Sequence, residues 1–185
     1  MTAAPTPQPL DLVPGRSCQD CTLCCKLLEV APLEKPRATW CTHCDQKRGC
    51  RIYPERPDAC RSFHCGYLRI AAIDDRWKPA KAKFLINYED KANRIVIHVD
   101  PARPEAWRAE PFYATIKQWA RRAQSQGSWV MVWVGPKATV VLAERDFDLG
   151  HVRDDQFIVP VERMTPRGPQ IDFEVRDTAD PAVTP

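Results

Sequence analysis

All nine cysteines of this 185-residue chain fall between Cys18 and Cys65, and the last 120 residues contain none. This asymmetry constrains the fold more than any other feature, because one quarter of the chain must be organised around sulfur and the rest around hydrocarbon. The thiols form two clusters, CQDCTLCC at 18–25 and WCTHCDQKRGCRIYPERPDACRSFHC at 40–65. The N-terminal residues show no cationic start and no apolar run of signal-peptide length, so the expected location is cytoplasmic, where thiols stay reduced. An odd count also leaves one cysteine unpaired under any all-disulfide scheme. Thiolates two residues apart can turn toward one ion, which is why C-x-x-C recurs in zinc and iron–sulfur sites. C-x-x-C-x-x-C-C followed by five more cysteines therefore reads as coordination rather than cross-linking or nucleophilic catalysis.

The adjacent pair Cys24–Cys25 adds a geometric condition. On a helix turning about 100° per residue, Cys18, Cys21 and Cys25 fall within roughly 60° of one another and Cys24 points roughly 60° further away. On a strand, neighbours point to opposite faces. Either the pair is divided between two ions or it grips different corners of one cluster.

A divalent ion held by four thiolates carries a formal −2, and burying it needs nearby donors or cations. Arg48, Arg51, Arg56, Arg61 and Arg69 lie among or just beyond the second group of cysteines. Each has an ordinary surface role as its alternative; for Arg56 and Arg61 that is pairing with Glu55 or Asp58. Tyr53 and Phe63 read as packing around the site, and Arg56-Pro57 turns the chain back toward it. His43 and His64 lie among the cysteines but are not needed as ligands beside nine thiols. His98 and His151 read as structural or exposed.

The motif Cys-x-x-Cys-x-x-Cys-Cys, then Cys-x-Ile-Tyr-x-x-Arg-Pro-x-x-Cys-Arg-x-Phe-x-Cys, resembles the YkgJ-type CxxCxxCC cysteine-cluster family, a family of zinc- or iron-chelating domains. The resemblance covers residues 18–65. It implies ligand roles for Cys18, Cys21, Cys24, Cys25, Cys41, Cys50, Cys60 and Cys65, and leaves Cys44 as the extra thiol. It extends to flagellin lysine N-methylases, which carry the same cysteine pattern in a longer chain. The present sequence has no G-x-G-x-x-G nucleotide signature.

The expected fold is α+β: a small cysteine-rich metal-bound module packed on a mainly antiparallel sheet with one longer helix. Residues 1–14 read as a disordered Pro-rich lead, 15–70 as the metal module, 71–176 as the α+β region and 177–185 as a tail. FLINY (84–88) and RIVIHVD (94–100) alternate as strands, with Ile95, Ile97 and Val99 on one face and Val96 and His98 on the other. PFYATIKQWARRAQSQG (111–127) is the one good helix, with Phe112, Ile116, Trp119, Ala120 and Ala123 as its apolar stripe and Gly127 as its stop. SWVMVWV (128–134) and ATVVLA (138–143) form a hairpin, and QFIVPV (156–161) and IDFEV (171–175) are further strands. Pro160 confines the first of these last two to an edge. The tryptophans of this region read as core.

The expected function is coordination of zinc or an iron–sulfur centre by cysteine thiolates. Zinc would be structural and coupled to folding; a cluster would bring electron transfer or redox sensing. The tight spacing favours iron–sulfur, although the fourth cysteine does not follow in the usual C-x-x-x-C-P form. The alternative is a metal-dependent modifying enzyme, methylase-like or redox, with an open coordination position beside Arg56, Arg61 and Tyr53. Net charge is only +3, with both signs interleaved, so no nucleic-acid surface is expected. No stretch approaches the roughly 20 apolar residues that span a bilayer, so no membrane partner is expected. A protein partner for the C-terminal half stays open.

Overall fold

A computed structural model describes residues 12–18, 21–89, 92–166 and 168–178. Alternation of apolar side chains over residues 84–151 builds a five-stranded sheet in spatial order β3-β4-β5-β6-β7. Its strands are β3 (Phe84–Glu89), β4 (Arg94–Val99), β5 (Val130–Val134), β6 (Lys137–Val141) and β7 (Asp146–His151). All neighbours are antiparallel except β4 and β5, which run parallel because the long helix α5 (Phe112–Gln124) carries the chain back across the sheet. The fold is therefore α+β and mainly antiparallel, as the sequence pattern predicts.

The period of two gives the sheet two apolar faces. Ile97, Val99, Val130, Val132 and Val141 belong to one core, with Ile116 and Ala120 of α5 packed into it. Val96, Met131, Ala138 and Val140 belong to a second core on the opposite face. That second face is covered by a separate hairpin, β8 (Gln156–Thr165) with β9 (Gly168–Asp177), through Ile158, Phe173 and Val175. Pro160 sits opposite Phe173 in a strand whose one partner is β9, which satisfies the edge condition for a residue without an N–H. Both hairpin strands run further than the apolar signals at 156–161 and 171–175. Strand β7 was not expected from sequence at all.

The helix ends at Gln124, and Gly127 beyond it is left-handed with φ of +69°. Near the start of α5, Phe112 joins Trp77 and Phe84 in an aromatic cluster with ring centroids 4.8–5.7 Å apart. Trp119, one helical stripe further on, stacks at 5.2 Å from Trp77. Trp77 comes from the turn just after the cysteine segment, so the sheet, the helix and that segment share one core.

The cysteine segment holds short elements: α1 (Leu23–Leu27), a two-residue β1–β2 hairpin (Cys44–Asp45 with Gly49–Cys50), α2 (Asp58–Arg61) and α3 (Gly66–Arg69), and α4 (Pro79–Ala82) follows it. It is fastened to the sheet by buried apolar groups, with Leu23, Leu27, Cys65, Tyr67 and Leu68 all in the first core. Gly66 is what lets α3 lie directly on β3, since a Cβ there would stand 2.7 Å from Ile86 Cβ. A half-buried ion pair, Lys26 Nζ to Asp100 Oδ1 at 2.6 Å, ties α1 to the end of β4. Of the expected lead, residues 1–11 lie outside the described residues. Residues 12–14 are held: the Val13 N–H donates to the Leu68 carbonyl at 2.8 Å. Arg16 then donates to the carbonyls of Tyr67 at 2.6 Å, Ile70 at 2.8 Å and Ile73, closing the C-terminal end of α3.

Candidate metal centre

All nine cysteines are free thiols, and the backbone brings the two sequence clusters together. The Cys41 N–H donates to the Cys25 carbonyl at 2.9 Å, so the start of the second cluster is clamped to the end of the first. The Cys44 N–H then donates to the Cys41 carbonyl at 3.0 Å, closing the C-x-x-C turn. Cys44 and Cys50 face each other in register across the β1–β2 hairpin. Asp45 Oδ1 accepts from the N–H groups of Lys47 and Arg48 at 2.9 and 3.0 Å to form its turn, and Gly49 completes it with φ of +96°, a conformation that costs glycine little.

The sulfurs fall into two neighbourhoods. In the first, the Cys25 thiol lies against those of Cys24 and Cys44. Cys60 lies within electrostatic reach of Cys25, Cys41 and Cys50, and Cys44 within reach of Cys25, Cys41 and Cys50. In the second neighbourhood, Cys65 interacts with Cys21 and Cys18. Backbone N–H groups lie near two of these sulfurs, those of Leu23 and Ala80 near Cys21 and that of Tyr67 near Cys65, while the Leu68 N–H donates to the Cys65 carbonyl at 2.9 Å. N–H groups converging on a sulfur favour its thiolate form.

The octet therefore divides between Cys21 and Cys24, and not within the adjacent pair. The physical reason is that α1 begins only at Leu23, so Cys18 and Cys21 precede the helix and the helical alternative for Cys18, Cys21 and Cys25 does not apply. Cys44, which the resemblance leaves as the extra thiol, sits centrally in the larger neighbourhood. Among the described residues no set of three or more His, Cys, Asp or Glu side chains is arranged to hold a metal ion. The two neighbourhoods are gatherings of thiols, not formed coordination shells.

Burial, with the neighbouring sulfurs behind it, sets their acid–base behaviour. Burial, followed by the neighbouring sulfurs, pushes Cys44 up to about 12. The hydrogen bond to Cys24, then burial, raises Cys25 well beyond the ordinary thiol range. Burial is the main cause for Cys21, Cys60 and Cys65, which are also raised. So many thiolates do not form side by side unless a positive charge joins them.

Some positive charge is built in. Lys35 is buried, at 5% exposure, and its ammonium donates to the carbonyls of Lys26 at 3.3 Å, Pro36 at 2.9 Å and Leu28. It thereby caps the end of α1 while facing the thiols of Cys41, Cys25, Cys24 and Cys60; burial lowers its pKa, and those sulfurs work against the shift. Sequence reasoning missed it, since a lysine in the linker LEKP carries no spacing signal. Arg56 is the second cation, acting on Cys60. Its Cζ lies 4.0 Å from the Tyr53 ring centroid, and its Nε is buried without a partner among the described residues. An orphaned buried donor is costly, and a metal-bound thiolate is an acceptor of the right kind. Thiols with this N–H beside them are the donor chemistry that a thiolate-held metal uses, although no three of the described thiols are arranged around an ion.

The other candidates separate cleanly. Arg61 takes its surface role, donating to Asp58 Oδ1 at 3.1 Å. Arg51 donates to the Thr42 carbonyl and so supports the hairpin. His64 Nδ1 lies 3.0 Å from the Ser62 carbonyl. His98 is in β4, beside Leu85 and Trp133 in register, and burial lowers its pKa to about 4. A cleft of about 440 Å³ at the boundary between module and sheet is lined by Glu29, Arg37, Pro136 and Asp154, and by no cysteine.

No family model, curated protein or solved structure matches the chain. No helix among the described residues is long and apolar enough to cross a membrane.

Proposed function

We propose that the chain is a metal-binding protein whose cysteine module holds zinc or an iron–sulfur centre through thiolates. The observation that carries this is the convergence of two sequence-distant clusters, through the Cys41-to-Cys25 backbone bond and the Cys25–Cys44 contact, around the buried cation Lys35. Thiols raised by burial and by one another gain most from a cation that replaces their protons. The residues that would hold it are those the resemblance to the YkgJ-type family implies, with Cys44 added. The orphaned Nε of Arg56 and the N–H groups near Cys21 and Cys65 are the outer support such a centre uses. A bound zinc would fix the fold of the module, and an iron–sulfur centre would add a redox couple.

Anaerobic purification followed by absorption spectroscopy and sulfide analysis tests this and identifies the metal. Visible absorbance with acid-labile sulfide marks an iron–sulfur centre, and a colourless protein with bound zinc marks the alternative. Alanine replacement of Cys24 and Cys25 together is expected to release metal; full retention in that variant would refute the assignment.

A further inference from the structure

The cleft between the cysteine module and the sheet has fixed walls. One wall is the linker after α1, with Glu29, Pro36, Arg37 and Ala38; the other is the β5–β6 turn at Gly135, with Asp154 beyond β7. The Ala38 N–H donates to the Leu27 carbonyl at 3.1 Å, and the Val152 N–H to the Pro136 carbonyl at 2.9 Å, so a backbone bond anchors each wall. Ala38 is left-handed, with φ of +57°, a conformation that few residues with a Cβ adopt and that clusters at ligand sites. At about 440 Å³ the cleft falls in the range of about 300–1,000 Å³ that holds small molecules. No cysteine lines it, so whatever binds here is separate from a metal on the thiols.

The walls carry one cation and two carboxylates. Arg37 lies over Trp133 of β5, its Cζ 4.8 Å from the ring centroid, and this stacking steadies the guanidinium. A guanidinium has five N–H donors. Among the described residues the one hydrogen bond of this side chain runs from Nη2 to Asp154 Oδ1 at 3.0 Å. The Asp154 side chain is 91% exposed, so the pair contributes little by itself. The unused N–H groups of Arg37 can take a second carboxylate in a fork, and the second oxygen of Asp154 can accept from a cation placed beside it. Glu29 is exposed and enters no ion pair among the described residues.

We propose that this cleft binds a free α-amino acid with a cationic side chain. An α-amino acid carries its carboxylate and its ammonium on one carbon, and Arg37 and Asp154 stand side by side with the matching opposite charges. The α-carboxylate accepts from the unused donors of Arg37, and the α-ammonium donates to Asp154. One carboxylate of the lining is then left, Glu29, and a cationic side chain neutralises it. A simple anion would instead meet two carboxylates and one cation, and a diamine would leave the donors of Arg37 unused.

Full-length protein is titrated calorimetrically with L-lysine and with three analogues that each lack one of its charged groups. Cadaverine lacks the carboxylate, ε-aminocaproate the α-ammonium and L-norleucine the side-chain ammonium. L-Lysine is expected to bind most tightly. Cadaverine, which loses the forked bond to Arg37, should bind about tenfold more weakly. L-Norleucine, which loses a contact with an exposed carboxylate, should bind about twofold to fivefold more weakly. Glu29→Gln should bring L-lysine down to the level of L-norleucine and leave L-norleucine unchanged. Asp154→Asn should bring L-lysine toward the level of ε-aminocaproate and leave ε-aminocaproate unchanged. Both residues are exposed, and far-ultraviolet circular dichroism checks that each variant is folded. Absence of binding by L-lysine at millimolar concentration, or equal binding of all four probes, would overturn the proposal. So would a Glu29→Gln variant that weakens L-lysine and L-norleucine alike.

Discussion

Gly66→Ala tests how tightly the cysteine module depends on the sheet. The new methyl carbon would lie 2.7 Å from Ile86 Cβ, 3.0 Å from Ile86 Cγ2 and 3.2 Å from Ile70 Cδ1. Carbon atoms rest at about 3.5–4.0 Å, so the first contact must open by roughly 0.8 Å or more. Rotating the Ile86 side chain does not help, because the nearest atom is its Cβ, which moves only with the backbone of β3. Strand β3 is held by six residues of pairing with β4, so α3 is the element that shifts. Overpacking of this kind costs about 1–3 kcal/mol. For a chain of this size each kcal/mol lowers Tm by about 2–4 °C, so the expected drop is about 2–12 °C. Cys65 immediately precedes Gly66 and moves with it, so metal retention against a chelator should fall together with Tm. Thermal unfolding by circular dichroism and metal retention are measured on the same samples. An unchanged Tm would refute the close packing of α3 on β3. A lowered Tm with unchanged metal retention would refute the claim that Cys65 is a ligand positioned by that contact.

The raised thiols predict an alkaline effect. In the metal-free protein, cysteines of the unfolded chain ionise near 9 whereas Cys44 stays protonated to about 12, so the unfolded state binds fewer protons and stability falls as pH rises from 9. Metal-loaded protein, whose thiols are already deprotonated, should not show this loss; identical pH–Tm curves for the two forms would contradict the coupling. Lys35→Met should destabilise the module by about 1–3 kcal/mol, because it strips the donor from the carbonyls closing α1. It should also weaken metal retention, as read by urea unfolding and chelator competition. Half-buried His98 has its pKa lowered to about 4, so the unfolded chain takes up a proton that the fold refuses between about 6.5 and 4, and stability falls as pH falls through that window. His98→Gln should flatten the acid limb of a pH–Tm curve; an unchanged limb would place that proton uptake elsewhere.

The sheet was largely legible because Ile95, Ile97 and Val99 alternate with Val96 and His98, and Ile116 and Ala120 recur at helical spacing. Both patterns report a buried face directly. Strand β7 was not legible, since Asp146, Asp148 and Gly150 interrupt its Phe147 and Leu149 and its pairing with β6 contains a bulge. The outer ends of β8 and β9 escaped for a related reason: residues such as Glu162 and Met164 are exposed, so no core face writes a period into them. In the site, ligand chemistry was legible from cysteine spacing, but the grouping of thiols was not. Grouping depends on where α1 starts, on the Cys44–Cys50 register and on the return of Cys65 to the core, and all three are tertiary facts. Lys35 was invisible for the same reason, because its role comes from the carbonyls that the fold places around it.

The central claim is that the folded protein holds metal through these thiols. Protein purified without oxygen is analysed for total bound metal and then, before and after metal removal, for thiols open to alkylation. The expected result is stoichiometric metal with the cysteines protected, and nine reactive thiols once the metal is removed. Metal-free, folded protein whose thiols are equally reactive in both states would contradict it.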